Sequence, residues 1–112
     1  MMDSATKDLI DAAYEKVLQT TNNILHNCKT FDISVLQLKD PSYEQIAKQL
    51  EEVATILWTI CNDFPDDPEG YHMAAKAKEY TQDVRSIAEA IRRDDQTELD
   101  RLVSKLDRRP FS

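Results

Sequence analysis

Few side chains in this chain have the means to do chemistry: two histidines, two cysteines, and a knot of acids between residues 63 and 69. Metal binding is the first chemistry to ask of them. Glu69-Gly70-Tyr71-His72 has the Glu-x-x-His spacing that puts a carboxylate and an imidazole on one helix face. Carboxylate-bridged di-metal bundles need two such motifs and two further inward glutamates. Here the other histidine, His26, has Asn23 at that spacing. Glu69 and His72 also fall in the first turn of a helix, where an acid answers the helix dipole with no metal at all. Nucleophilic chemistry fares no better. Cys28 and Cys61 fall on apolar stripes, where a thiol packs as a small hydrophobe. His26 is two residues from Cys28, so the two side chains leave a helix in different directions. A single glycine leaves no room for a Gly-rich phosphate loop. The expectation is no catalytic residue, no metal, no cofactor and no enzyme.

Two short stretches resemble sites in known families. His26-Asn27-Cys28-Lys29-Thr30 resembles the local pattern of histidine phosphotransfer domains, helical bundles in which a lysine follows the phosphoryl-accepting histidine by three residues. That resemblance implies His26 as phosphoacceptor, with Lys29 neutralising developing charge. It departs from the family at Thr30, where glycine is preferred, and in the early position of the histidine. Asp66-Asp67-Pro68-Glu69-Gly70 resembles the acidic turn that opens the last helix of the immunity proteins protecting bacteria from nuclease colicins. The implied role is an inhibitor that masks a basic enzyme. Both readings stand as alternatives to a more general one. In that reading Asp63, Asp66, Asp67 and Glu69 supply steering charge, and Phe64 and Tyr71 supply aromatic anchors, for recognition of another protein. Helix capping alone would also account for acids at this place.

Charge and composition narrow the field. The net charge of −7 is unevenly placed: residues 1–70 hold 5 Lys and Arg against 13 Asp and Glu, and residues 71–112 hold 9 against 8. All six arginines lie in the second part. Such a surface repels nucleic acid and anionic membrane, so neither is expected as a partner. Either the two parts neutralise one another within the fold, or the acidic surface meets a basic protein. One glycine and four prolines are too few turn residues for an all-β fold. No uncharged run approaches the length of a membrane span, and no secretory signal opens the chain. A cytoplasmic protein is expected, with Cys28 and Cys61 as packed thiols rather than a disulfide. The length suits one domain, residues 1–112.

The elements that must position these residues are helices. Ile10, Tyr14, Val17, Thr21, Ile24 and Cys28 repeat at four-three spacing, which predicts a first helix opening near Asp3 or Ser4. Poor helix formers from Thr30 to Val35 predict a break near residues 29–32 and a short piece to Leu38, with one helix unbroken to Lys39 as the alternative. Asp40-Pro41 predicts a second helix starting at Pro41 or Ser42 and ending near Asn62. Its seam reads Ile46, Leu50, Val53, Leu57, Ile60, and Val53 to Cys61 carries no charge on any side. This helix is expected at the centre, with Leu50, Val53, Leu57 and Ile60 almost wholly buried and Trp58 largely covered. Asp67-Pro68 opens a third helix running to about Arg93, and Asp95 with Glu98 caps a short fourth, stopped before Pro110. The basic tail Arg108 to Ser112 ends beside one aromatic, Phe111. The reading is all-α: an antiparallel up-and-down bundle of three main helices and a short C-terminal fourth, acting as a protein-interaction module. Self-association through such seams is one version of that function.

Overall fold

Caps set where the chain turns helical. In the computed structural model, which describes residues 3–108, the helices are α1 (Ser4–Thr30), α2 (Ile33–Leu36), α3 (Tyr43–Asn62), α4 (Pro68–Arg92) and α5 (Gln96–Asp107). There is no strand among the described residues, so the fold is all-α. The expected tail of Arg109, Pro110 and Phe111 lies outside them. The Asp3 carboxylate accepts the Thr6 N–H at 2.7 Å, and Asp67 and Asp95 accept from Gly70 and Glu98 at 3.2 and 3.1 Å. Each bond satisfies a backbone donor that a helix start leaves unpaired. Ser42 and Gln45 make a reciprocal capping box, at 3.3 and 3.0 Å. That box starts α3 at Tyr43, just beyond Pro41 or Ser42, where it was expected to open. The break after Thr30 falls where expected: Phe31 is extended, and α2 is a single turn.

Ion pairs fix how the long helices lie. Glu44 meets Arg92 and Glu51 meets Arg85, at 2.8 and 2.9 Å, so α3 and α4 run antiparallel. Lys7, Ile10 and Asp11 at the start of α1 line a crevice with Asp67, Gly70 and Met73 at the start of α4. At the far end the Asn27 amide donates to the Tyr43 hydroxyl at 3.2 Å. Hence α1 runs with α4 and against α3. The short α5 packs on α4 and α1 with Leu99, Leu102 and Leu106 buried.

The centre of this arrangement is α4, a correction to the expectation for Tyr43–Asn62. Eleven residues of α4 are buried against six of α3, and α4 packs on α1, α3 and α5. The buried stripe of α3 is Tyr43, Ala47, Leu50, Ala54, Leu57 and Cys61. Leu50 and Leu57 are buried as expected, but Val53 and Ile60 are only partly covered. The uncharged run is not buried all round either, since Ile56 is 56 % exposed. Small residues are the cause. Ala47 and Ala88 line the same cleft between α3 and α4, and the Cys61 thiol donates to the Gly70 carbonyl at 3.2 Å. Alanine, cysteine and glycine let two backbones approach closely, and α3 turns its small residues toward α4 to use that contact.

Two expected results follow. Gly70 sits inside a helix with no positive φ, and a Cβ there would meet Cys61 Sγ at 3.4 Å, an ordinary contact. Gly70→Ala should therefore stabilise the fold by about 0.4–1 kcal/mol, read as a raised urea midpoint. Both thiols are free. Burial pushes Cys28 up to about 12, and burial raises Cys61 too, with the Asp67 charge adding to it. A thiol raised in the folded state is protonated where the unfolded one has ionised, so both cysteines favour folding below pH 9 and lose that contribution as pH rises above it, Cys28 between 9 and about 12. Iodoacetamide at pH 8 should label neither thiol in the native protein and both in denaturant.

Candidate functional site

The turn joining α3 to α4 holds the acids. Asp63 closes α3, its N–H donating to the Ile60 carbonyl at 3.1 Å, and its carboxylate is exposed. Phe64 is half-buried, and its carbonyl accepts the Asp67 N–H at 3.0 Å. Asp66 and Glu69 are exposed, while Asp67 is partly covered by its capping role. Tyr71, on the first turn and a half of α4, is 48 % exposed. Its ring lies 4.9 Å from that of Trp58 on α3, tilted by 48°. Lys78 places its ammonium 5.5 Å from the Trp58 ring. Trp58 is thus half-covered by its own chain, between a tyrosine and a lysine stem.

Helix physics accounts for some of these acids and not for others. Asp67 caps α4, and Glu69 answers the positive end of its dipole. Asp63 sits at the negative end of α3, which has no basic residue in its last turn. A carboxylate there works against the helix rather than for it. No ion pair offsets the cluster: among the described residues, none of Asp63, Asp66, Asp67 and Glu69 is in one. Four of the six arginines are paired elsewhere. Arg85 and Arg92 bridge to Glu51 and Glu44 on α3, Arg93 to Glu89, and Arg101 to Glu98. Among the described residues the pairs that join the two parts, Arg85–Glu51, Arg92–Glu44 and Lys29–Asp107, lie away from the acidic turn.

Tertiary packing brings to the acidic end one acid and one base that spacing did not single out. Asp11 and Lys7 of α1 reach Asp67 and Glu69 around a crevice of about 70 Å³. That volume holds about two waters and no cofactor. Asp11 is distant in sequence, and only the alignment of α1 with α4 brings it here. Trp58 was not singled out for the site either, although its spacing carried the signal: it lies five residues before the turn and Tyr71 four after it, so an antiparallel pair sets them side by side.

The phosphotransfer candidate lies elsewhere. His26 is exposed on the outer side of α1, and its carbonyl accepts the Thr30 hydroxyl at 2.9 Å. The Lys29 ammonium is 2.5 Å from the Asp107 carboxylate on α5, which directs its charge across the helix pair rather than at His26. His72 is exposed beside Tyr71. No group of three or more His, Cys, Asp or Glu that could hold a metal ion is found among the described residues. No described helix is long and apolar enough to cross a membrane. No protein-family model, characterised protein or solved structure matches this chain.

Proposed function

We propose that this helical bundle is a non-enzymatic interaction module, an adaptor, regulator or inhibitor, whose acidic end docks a basic surface of another protein. Asp63 carries the reading: it is an exposed acid placed against the dipole of its own helix and in no ion pair among the described residues. A partner's lysines or arginines would supply the missing charge. Asp66 and Glu69 extend the field that steers encounter, and Tyr71, braced on Trp58, gives the encounter an aromatic anchor. An inhibitor that masks a basic enzyme, the immunity-type role, is a special case of this geometry.

The test separates steering from anchoring. Asp63→Asn, Asp66→Asn and Glu69→Gln are changed together, and Asp67 is kept because it caps α4. A partner captured from native extract by the original chain should associate several-fold more slowly with the triple variant, and with a weaker dependence on salt. Tyr71→Ala should act on dissociation instead. Unchanged capture and an unchanged salt dependence in the triple variant would remove the acidic end as the site.

A further inference from the structure

At the end of the bundle opposite the acidic turn, three elements enclose a pocket. The start of α3 meets the end of α4 there, and α2 closes the third side. The volume is about 310 Å³, room for a ligand of amino-acid size. Leu36 of α2, Tyr43 of α3, and Ala88 and Ile91 of α4 form its base. All four are buried, so the base is fixed before any ligand arrives. The Gln37 amide donates to the Ile91 carbonyl at 2.9 Å and pins the end of α2 to α4. Polar groups stand around the rim. Glu44 and Arg92 face each other at 2.8 Å, both more than half exposed, with Glu89 3.9 Å from Arg92. Glu44 lies in the first turn of α3 and Arg92 in the last turn of α4, so each also answers the dipole of its own helix. The open cleft that continues between α3 and α4 adds Lys48, Glu51, Arg85 and Glu89. The charges lining the whole opening are thus three of each sign.

We propose that this pocket binds a small zwitterion with an apolar body, an α-amino acid with a large apolar side chain. The side chain lies on the base. The ammonium meets the Glu44 carboxylate and the Gln37 amide oxygen, and the carboxylate meets the Arg92 guanidinium and the Ser42 hydroxyl. Gln37 has committed its amide nitrogen to Ile91, which leaves its oxygen to accept. The Ser42 oxygen already accepts the Gln45 N–H, which leaves its proton to donate. Charge selects the class. A ligand with one charge takes either Glu44 or Arg92 and strands the other. An anion is also repelled from a distance by the net charge of −7, and a cation meets Arg92 at the rim. A zwitterion replaces one exposed ion pair, itself worth little, with two and leaves neither side chain unpaired. The base offers only the tips of buried side chains, so affinity rests on the rim and is modest.

Titrating the isotope-labelled chain with phenylalanine should shift the amide signals of Gln37, Tyr43, Ala88 and Ile91 together, and saturate with a Kd on the order of 1 mM. Phenethylamine and hydrocinnamate each lack one of the two charges, and glycine lacks the apolar body. Each should bind about tenfold more weakly or worse. Arg92→Gln and Glu44→Gln should each weaken phenylalanine binding by about tenfold, with thermal melts near the parent's because both side chains are exposed. In Glu44→Gln, hydrocinnamate should bind as well as phenylalanine, a reversal that a merely structural role for Glu44 would not produce. The absence of a saturable shift at tens of millimolar phenylalanine would overturn the proposal. Equal binding of hydrocinnamate or phenethylamine to the parent chain, or binding indifferent to Glu44→Gln, would overturn it equally. Neutralising Asp63, Asp66 and Glu69 should leave phenylalanine binding unchanged, so this pocket and the acidic end are tested separately.

Discussion

Leu57→Ala is expected to lower stability by about 2–5 kcal/mol, whereas Ile56→Ala, one residue away, should change it by less than about 0.5 kcal/mol. The two side chains are alike in size and lie in the same uncharged stretch of α3. Burial separates them: Leu57 is 1 % exposed and Ile56 56 %. Leu57 belongs to the buried stripe of α3, so its removal forfeits the transfer of three carbons from water and leaves a cavity in the core. Rigid neighbours limit how far that cavity can collapse. Ile56 gives up little contact, and alanine is the better helix former, which offsets part of even that loss. Urea melts of the dilute protein, at constant m-value, would read the difference directly. A loss below about 1 kcal/mol for Leu57→Ala, or equal losses for the two, would mean that α3 does not present this stripe to α4.

Periodicity and caps made the helices legible. Asp3, Asp67 and Asp95 mark starts because a short acceptor side chain before an apolar repeat has few other uses. The break at Phe31 was legible for the converse reason: a run of residues with indifferent helix propensity lets the chain leave the helix, although the apolar spacing would have carried it on. Which face of α3 is buried was not legible. Two stripes overlap on that helix and share Leu50 and Leu57; one adds Ile46, Val53 and Ile60, the other Ala47, Ala54 and Cys61. Counting apolar weight favours the isoleucines. Close packing favours the small residues, because what the partner helix can approach decides the contact, and that partner is not written in α3 itself. For the same reason α4, rich in alanine and modest in hydropathy, does not stand out as the centre. At the candidate site, the acids and aromatics of the turn were legible from composition and spacing. Asp11 was not, because helix-on-helix alignment alone brings residue 11 beside residues 67 and 69.

The second large effect concerns those small residues. Ala74 is wholly buried on α4, one turn beyond Gly70, whose carbonyl accepts the Cys61 thiol of α3. Leucine at position 74 brings three more carbons into a place where two helices are held together by alanine, glycine and cysteine. Helix propensity barely changes, so backbone preference does not explain any loss. The side chain has to find room by leaving its preferred rotamers or by pushing α3 away from α4. Pushing α3 outward would lengthen the Cys61–Gly70 contact and disturb neighbouring buried layers. Overpacking of this kind costs about 1–3 kcal/mol. Ala75→Leu, at the next and exposed position, is the matched control and should stay within about 0.5 kcal/mol of the parent. Thermal and urea unfolding of the pair would then differ by more than the control does from the parent. The Cys61 thiol offers an independent readout, since an α3 displaced from α4 exposes it, and alkylation at pH 8 should begin in the Ala74→Leu protein alone. If Ala74→Leu melts with the control and Cys61 stays unlabelled, the two helices are not held by small-residue contact. The exposed isoleucine stripe on α3 would then need another cause.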